Sequence, residues 1–274
     1  MLTHSQGDLQ RELTEAERQL LITAGWLRSR YGLMAGMDAA SKLGRENLEA
    51  FGRVWIGKYL VDWSDAYRSL VSDGYLSERD GEFSLTAGGS AARKALELTH
   101  PLWRYEYDNF FSAAEHSDAH ALFCERVYGR NLCQHGLADL SQLNTLLEIL
   151  RLTESDRVLD AGCGNGRVTE HLHDLTGASF TGVDISTEAI RQARERTKTA
   201  AAATKRGRLT FEVGNLNRLH FEPHTFDSVI AVDTLYYVDD LAETLRQLAA
   251  ALKPAGQMGL FYTQWRASNV ERDL

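Results

Sequence analysis

Apolar positions in the second half of the chain gather into short runs, which are separated by glycine-containing turns and by segments of helical periodicity. Five runs have the length and composition of strands: the run ending at Leu159, Phe180–Asp184, Leu209–Val213, Phe226–Val232 and Gln257–Tyr262. After the second run, Thr187–Thr197 has a helical pattern with Ser186 as its N-cap. Strands that alternate with helices form parallel sheets, so we predict an α/β fold with a doubly wound, mostly parallel sheet.

The first hundred residues have a different pattern, in which helical periodicity dominates. We predict helices over Leu13–Arg30, Arg45–Leu60, Ser64–Ser72 and Ala87–Leu98. The segment Asp73–Thr86 has a glycine turn between two short apolar runs and predicts a β-hairpin. Helices around such a hairpin resemble a winged helix-turn-helix. We therefore predict a mainly helical, winged-helix-like domain over 1–100, a connecting helical cap over 101–138 and the α/β domain over 139–274.

A glycine-rich turn follows the first strand of the predicted sheet. Asp160 closes the strand, and Gly162, Gly164 and Gly166 stand before a helix. Glycine allows positive φ and lets a ligand lie against the backbone. The helix N-terminus offers unpaired N–H groups and a partial positive charge. Because such folds bind nucleotides at the carboxyl edge of the sheet, we expect a nucleotide-type crevice at this turn.

The spacing of the turn disfavours two common nucleotide sites. A dinucleotide site has the pattern G-x-G-x-x-G, and here Arg167 occupies the position of the third glycine. A P-loop is absent because no Gly-Lys-Ser/Thr follows the turn. An NAD-dependent oxidoreductase and a P-loop nucleotide-binding protein are therefore both disfavoured.

The run Val158–Thr169, VLDAGCGNGRVT, resembles motif I of the class I S-adenosylmethionine-dependent methyltransferases, hhDhGCGxG. Three more segments resemble that family in the expected order: the strand Phe180–Asp184, the strand Phe226–Val232 and the turn Leu252–Gly256. The resemblance covers roughly residues 140 to 265. It implies a Rossmann-like methyltransferase sheet, S-adenosyl-L-methionine as the cofactor, and methyl transfer to a small-molecule acceptor by in-line displacement.

The resemblance also implies which residues bind the cofactor. From motif I these are Asp160, Gly162, Cys163, Gly164 and Gly166. Asp184 is expected to accept hydrogen bonds from the ribose hydroxyls, and Ile185 follows it. Val232 is expected at the same edge of the sheet, and Tyr128 at the cofactor carboxylate.

The corner after the third strand departs from the family pattern. Asn215 stands where the family usually has an Asp that accepts from the adenine amino group. Its side-chain oxygen can still accept that hydrogen bond, and the backbone N–H of Leu216 is expected to reach the ring. An ordinary turn asparagine is the alternative interpretation of this residue.

Three residues are candidates for contacting the acceptor or taking its proton. His135 belongs to Tyr128–Gly136, which resembles the Tyr-Gly…His-x-Gly segment of sterol-, phosphoethanolamine- and cyclopropane-type methyltransferases. Asp233 and Tyr236 follow the fourth strand, whose loop faces the crevice in such sheets. The alternatives are a hydrogen-bonded loop histidine for His135 and local capping for Asp233. The sequence does not distinguish oxygen, nitrogen or carbon as the methyl acceptor.

Charge bears on the role of the winged-helix-like region. Residues 1–100 contain twelve Lys and Arg against fourteen Asp and Glu, and the whole chain has a net charge of −8. Because phosphate contacts dominate nucleic-acid affinity, we favour a role in dimerisation and in covering the substrate over DNA binding. A homodimer through this region is thus the expected assembly. The competing class is a non-catalytic or regulatory winged-helix protein that senses S-adenosylmethionine.

Cysteine and histidine usage predicts no metal site. Cys124, Cys133 and Cys163 are odd in number and lack C-x-x-C spacing, which favours a reduced, cytoplasmic protein. We interpret His171 and His173 as surface residues, and no HExxH motif accompanies the pair formed by His116 and His120. No apolar run reaches membrane-spanning length, and the N-terminus has no secretory signal pattern.

The end of the chain departs from the family architecture. The family sheet normally continues after its fifth strand with a helix and an antiparallel hairpin. Here Thr263–Leu274 follows, a polar segment without a strand pattern. From this we expect either a fragment that is truncated after strand five or a family member that lacks this edge.

Overall fold

The computed structural model describes residues 11–27, 44–57, 61–200 and 208–262. The chain forms two compact units, residues 1–110 and 111–274. The segment 101–138, predicted as a connecting cap, is thus divided between the two units. Thr263–Leu274, on which the expectation of a truncated sheet depends, lies outside the described residues.

The first unit contains four helices and one hairpin in its described part. The helices are α1 (Glu15–Leu27), α2 (Arg45–Trp55), α3 (Ser64–Ser72) and α4 (Ala87–Glu97). Strands β1 (Leu76–Arg79) and β2 (Glu82–Leu85) pair antiparallel across the turn at Asp80-Gly81, as predicted. The predicted helix ends Arg28–Arg30 and Lys58–Leu60 lie outside the described residues. Helix α2 ends at Trp55, earlier than predicted.

A buried ion pair fixes the start of α1 against the end of α3. The guanidinium of Arg11 donates to Glu17 Oε1 at 2.6 Å and to Asp73 Oδ2 at 2.5 Å. Glu17 is only 3% exposed. The hydrogen bonds from Arg11 outweigh the opposing effect of burial and lower the pKa of Glu17 to about 2. Glu17 is therefore a buried carboxylate whose charge depends chiefly on Arg11, with further hydrogen bonds from Ser69 and Thr14.

The second unit is built around a five-stranded parallel sheet. Its strands are β3 (Arg157–Ala161), β4 (Ser179–Asp184), β5 (Leu209–Val213), β6 (Phe226–Val232) and β7 (Leu252–Phe261). Their order across the sheet is β5-β4-β3-β6-β7. The order reverses beside β3, which makes the carboxyl end of β3 the switch point of the sheet.

Helices cover both faces of this sheet. They are α6 (Asp118–Tyr128), α7 (Leu140–Leu150), α8 (Arg167–Thr176), α9 (Thr187–Ala200) and α10 (Leu241–Ala251), while α5 (Leu102–Ala114) contains the division between the units. Val158 packs with α7 and α8 on one face, and its neighbour Leu159 packs with α10 on the other. Alternation along the strand therefore fills two cores. The predicted α/β sheet is confirmed.

Capping side chains hold the starts of three helices, including the predicted cap at Ser186. Asp139 and Gln142 form a capping box at the start of α7. The Ser186 hydroxyl accepts from Ala189 N at 3.0 Å before α9, and Thr86 accepts from Gly89 N at 3.0 Å before α4. These side chains satisfy N–H groups that the helix itself leaves without partners.

Two predictions in this unit were wrong in detail. His173, interpreted as a surface residue, is 6% exposed, and its Nδ1 lies 2.7 Å from the carbonyl oxygen of Ala178. The ring closes the turn after α8, a contact that residue spacing alone does not reveal. The segment Leu252–Gly256, predicted as a turn, belongs to β7 as an irregular stretch with Ala255 at a φ of +65°.

Candidate functional site

The carboxyl ends of the parallel strands bring the predicted cofactor residues to one edge of the sheet. Asp160 lies at the end of β3, and Asp184 is the last residue of β4. Between β3 and α8, the three turn glycines all have positive φ: Gly162 at +86°, Gly164 at +55° and Gly166 at +78°. The predicted left-handed turn is present at the switch point of the sheet.

The outer glycines are required by packing within the protein. A Cβ atom on Gly162 would lie 2.1 Å from the hydroxyl oxygen of Thr234, and one on Gly166 would lie 2.6 Å from the ring of Phe211. The N–H of Gly162 also donates to Val183 O at 2.7 Å, which joins the turn to β4. A side chain at either position would displace the turn from the sheet.

The middle glycine connects the turn to the acid at the end of β4. The N–H of Gly164 donates to Asp184 Oδ2 at 2.8 Å, and the N–H of Ser186 donates to Asp184 Oδ1 at 2.8 Å. One carboxylate therefore holds both the glycine turn and the start of α9. A carboxylate has about four acceptor positions, which suits it to further hydroxyl donors such as those of a ribose. The turn and Asp184 thus have the chemistry that an adenosyl cofactor requires.

Asp160 faces the interior of the unit. It is 2% exposed, and Oδ2 accepts from the hydroxyl of Thr169 on α8 at 2.6 Å. Burial raises the pKa of Asp160 to about 7, and the charge of Asp184 acts in the same direction, whereas the Thr169 hydrogen bond opposes both. Asp160 therefore attaches α8 to the end of β3 and is partly protonated at neutral pH.

The other residues predicted on the β3 and β4 side lie close by. Cys163 is buried in a cluster with Ile190, Ala193 and Phe211, and burial raises the pKa of its thiol well above the usual value. Ile185 follows Asp184 and is half-buried. The position of Cys163 favours a packing role for its side chain and leaves only its backbone to a ligand at the turn.

Asn215 combines the two interpretations that its sequence position allows. Its side-chain oxygen accepts from the N–H of Asn217 at 3.0 Å and caps a short 3-10 helix that begins at Leu216. This is the ordinary turn role. A carbonyl oxygen has two lone pairs, so the same atom retains the capacity for a second donor. Val232 ends β6 at the same edge of the sheet.

Asp233 makes a long-range contact and is not a local cap. It has a φ of +51° and is 7% exposed. Its Oδ2 accepts from the N–H of Leu137 at 2.5 Å, a residue 96 positions earlier. A left-handed φ is costly for a residue other than glycine, so the backbone at Asp233 is strained. The carboxylate of this residue lies directly beyond β6.

Two tyrosines interact electrostatically with Asp233. Burial raises the pKa values of Tyr128 and Tyr236, and the negative charge of Asp233 adds to both shifts. The Tyr236 ring lies 4.5 Å from that of Tyr237 and 5.9 Å from that of Tyr262. Both phenols therefore remain protonated at neutral pH, and the hydroxyl of Tyr236 is hydrogen-bonded to Tyr237.

The predicted candidates on the acceptor side do not all converge. The structure brings Tyr128, Asp233 and Tyr236 into one electrostatic neighbourhood. His135 lies in the same connecting segment as Leu137, and its side chain is exposed. The geometry therefore gives Asp233 a central place in this group and gives His135 a peripheral one.

The sequence analysis assigned no role to two residues at the site. Thr234 fills the space against Gly162, and Thr169 holds Asp160. Phe111 comes from a stretch that is dense in aromatic residues, and its ring lies 3.0 Å from the Cβ position of Gly164. Within the described part of the chain, no group of three or more potential metal ligands occurs.

The comparisons with known proteins agree with this geometry. Residues 158–256 match a family model described as a methyltransferase domain. Methyltransferase phqN of Penicillium fellutanum is 30% identical over 112 residues, 41% of this chain and 33% of that protein. The 27-O-demethylrifamycin SV methyltransferase of Amycolatopsis mediterranei is 31% identical over 153 residues, 52% of this chain and 55% of that protein.

Solved structures give matches of similar extent. The phosphoethanolamine N-methyltransferase 2 of Haemonchus contortus, in complex with phosphomonomethylethanolamine and S-adenosylhomocysteine, matches with a TM-score of 0.45 and 25% identity. That match covers 56% of this chain and 35% of the other. The chain spans between a third and just over half the length of the two curated relatives described above. The family match to a methyltransferase domain covers residues 158–256, the part of the chain that contains the glycine turn and Asp184.

Proposed function

We propose that the chain transfers a methyl group from S-adenosyl-L-methionine to a small-molecule acceptor by in-line displacement. The observation that carries this proposal is the hydrogen bond from Gly164 N to Asp184 Oδ2, which unites the glycine turn and the acid of β4 in one cradle. The curated relatives act as methyltransferases, one of them on 27-O-demethylrifamycin SV, and this supports the same activity here.

Positioning is the main task that this mechanism leaves to the protein. When bound, S-adenosylmethionine supplies a methyl group on a positively charged sulfur, which is already activated for transfer. Alignment of the acceptor against that methyl group is worth about 7–11 kcal/mol of the barrier. The proposed cradle of Gly162, Gly164, Gly166 and Asp184 fixes the cofactor. Asp233, directly after β6, holds the segment that contains Leu137 by a hydrogen bond.

Proton transfer depends on the acceptor. A base is needed only when the nucleophilic atom carries a proton that must leave. Asp233 is then the group to accept it, because its carboxylate lies at the crevice edge beyond β6, and Tyr236, whose hydroxyl also bonds to Tyr237, is the neighbouring group that orients a polar acceptor. His135, with its exposed side chain, is assigned to the rim of the acceptor site.

Calorimetric titration with S-adenosylhomocysteine tests the cofactor assignment. Asp184→Ala should weaken binding at least tenfold, since hydrogen bonds to a charged group contribute about 1.5–3 kcal/mol each. Asp239→Asn is the matched control because Asp239 is exposed on the same unit. Equal affinity of the wild type and Asp184→Ala would contradict the ribose assignment. A screen of small acceptors with a labelled methyl donor then identifies the substrate.

For the first unit we propose a winged-helix-like role in dimerisation and in covering the substrate. The hairpin Leu76–Leu85, set between helices α3 and α4, supports the likeness. The hairpin turn carries Arg79 beside Glu78, Asp80 and Glu82, an acidic surface that disfavours phosphate contacts. Light scattering tests the dimer. Salt-dependent DNA binding in a mobility-shift assay would instead favour the regulatory alternative.

The setting of the enzyme is also a proposal. Cys124, Cys133 and Cys163 are all free and buried, which supports a reducing, cytoplasmic compartment. Among the described residues, no helix combines the length and apolarity needed to cross a membrane.

A further inference from the structure

A polar cavity of about 490 Å³ lies in the second unit beside the glycine turn. We call it the side cavity. One part of its wall comes from the turn between α5 and α6, and the other comes from the first residue of α8, from α9 and from the loop that contains Asn131 and Cys133. None of the residues predicted to bind the cofactor lines it, although Asn165 and Arg167, on either side of Gly166, do. Its volume is within the range of small-molecule sites.

The floor of the side cavity contains a positive charge without a counter-charge. Arg167 is the first residue of α8, and its Nε atom is buried with no hydrogen-bond partner among the described residues. Arg196, the other guanidinium of the wall, pairs with Glu170 at 2.6 Å. A cation at a helix N-terminus is unfavourable because the helix dipole is positive there. An anionic group bound at Arg167 would offset both costs.

Backbone strain marks the same floor. Cys133 has a φ of +52°, and its N–H donates to the side chain of Asn131 at 3.0 Å. A left-handed residue other than glycine costs free energy and persists where its surroundings impose it, often at functional sites. Here Cys133 lines the cavity; burial raises the pKa of its thiol, and the charge of Arg167 opposes that shift.

The rim of the cavity has the opposite charge. Glu115 and Asp118 line the side that comes from the turn between α5 and α6, and both are exposed. Glu115 pairs with Arg191 at 3.2 Å and lies 3.6 Å from His116, which also lines the cavity, so Asp118 is the acid of this rim that has no ion-pair partner among the described residues. A ligand that carried only negative charge would meet repulsion as it entered.

We propose that the side cavity binds a small zwitterion of the amino-acid class, with its carboxylate on Arg167 and its ammonium group toward Glu115 and Asp118. The two walls then match the two ends of the ligand. The site is separate from the cradle of Gly162, Gly164 and Asp184, so its occupancy does not require the cofactor. The carboxylate binds at the floor, where the charge of Arg167 replaces its hydration, and the ammonium group binds at the exposed rim, where it keeps contact with water.

Three probes of equal chain length test the charge pattern. Ligand-observed NMR titrations would compare 4-aminobutanoate, which has both charges, with butanoate and butylamine, which have one each. The zwitterion should bind the wild type at least tenfold more tightly than either. Arg167→Gln should weaken its binding about tenfold to a hundredfold, the loss expected for a charge-assisted hydrogen bond. Arg246→Gln, on the exposed face of α10, is the matched control and should change nothing.

Several outcomes would overturn the proposal. These are equal binding of butanoate and 4-aminobutanoate, no saturation by 4-aminobutanoate at any soluble concentration, and undiminished binding to Arg167→Gln. Displacement of the probe by S-adenosylhomocysteine would show that the cavity belongs to the cofactor site. Arg167→Gln must also keep its affinity for S-adenosylhomocysteine, so failure of this proposal and failure of the methyltransferase assignment remain distinguishable.

A measurement on the unmodified protein covers the case in which Arg167→Gln does not fold. Alkylation by iodoacetamide, mapped by mass spectrometry, reports separately on each cysteine. Saturating 4-aminobutanoate should slow the alkylation of Cys133 severalfold and leave Cys124 and Cys163 unchanged, because only Cys133 lines the cavity. Equal slowing of all three, or of none, would contradict binding in the side cavity.

Discussion

The buried carboxyl of Asp160 should make the second unit less stable as the pH rises. Asp160→Asn is the informative substitution, because the asparagine oxygen can still accept from the Thr169 hydroxyl while the ionisable group is removed. Any difference between the two proteins then reports on the charge alone. The side chain keeps its size, so packing against β3 and α8 is preserved.

The magnitude follows from the pKa of the folded protein. Burial raises the pKa of Asp160 from 3.8 to about 7. Below about pH 4 both the folded and the unfolded carboxyl are protonated, and the group has no effect. Between the two pKa values only the folded state keeps the proton, so the free energy of unfolding falls by at most about 1.36 kcal/mol per pH unit. Above pH 7 the cost reaches a plateau of about 4 kcal/mol.

Hydrogen exchange at β3 is the suitable assay, since the described tryptophans all lie in the first unit and report on it alone. Mass spectrometry of peptides that cover Arg157–Ala161 gives the local opening free energy, after correction for the intrinsic pH dependence of exchange. Asp160→Asn should match the wild type near pH 4 and exceed it increasingly up to pH 7. The exposed Asp239→Asn should follow the wild type. Parallel profiles for wild type and Asp160→Asn from pH 5 to 8 would refute the reasoning.

Four further substitutions test the contacts described above. Gly166→Ala should destabilise the second unit by more than about 1 kcal/mol in urea titrations followed by circular dichroism, whereas Gly164→Ala should fold and lose affinity for S-adenosylhomocysteine in calorimetry. Arg11→Gln should lower the thermal stability of the first unit at neutral pH, because it leaves Glu17 buried and charged without its main partner; the loss should shrink as the pH falls from about 4.5 towards 2, the range between the ordinary pKa of a glutamate and that of Glu17 in the folded protein. Asp227→Asn should reduce stability above about pH 4 and progressively less below it, since the hydrogen bonds from Lys253 and from the Arg157 N–H, with the charge of Lys253, together overcome burial and lower the pKa of Asp227; unfolding profiles across pH would check this, and a loss that did not diminish in acid would contradict it.

Local sequence patterns were sufficient to predict most of the secondary structure. The strands Phe180–Asp184, Leu209–Val213 and Phe226–Val232 had alternation or apolar runs between clear turn signals; the structure has the same bounds for the last two and begins the first one residue earlier. The caps at Asp139 and Ser186 were also predictable, since a cap depends on residues within one turn of the helix. The prediction for helix α2 ran past the end of the helix at Trp55, because the apolar periodicity continues in the sequence beyond that residue.

The sequence patterns did not predict contacts between distant segments of the chain. The hydrogen bond from Leu137 to Asp233 joins residues 96 positions apart, and the buried His173 depends on the turn that follows α8. The raised pKa of Asp160 arises from burial and from the charge of Asp184. Each of these properties depends on how helices and strands pack against one another. Local sequence patterns do not specify that packing.

The glycine pattern itself has two physical origins that the sequence merges into one motif. Gly162 and Gly166 would be required without any cofactor, because Thr234 and Phe211 occupy the space that a side chain would need. Gly164 differs, since its N–H joins Asp184 and its open side meets only the flexible edge of Phe111 at 3.0 Å. A G-x-G-x-G run is thus specific for a turn first and for a ligand second. The ligand-specific content at this site lies in the link between Gly164 and Asp184, which is why substitutions there separate binding from folding.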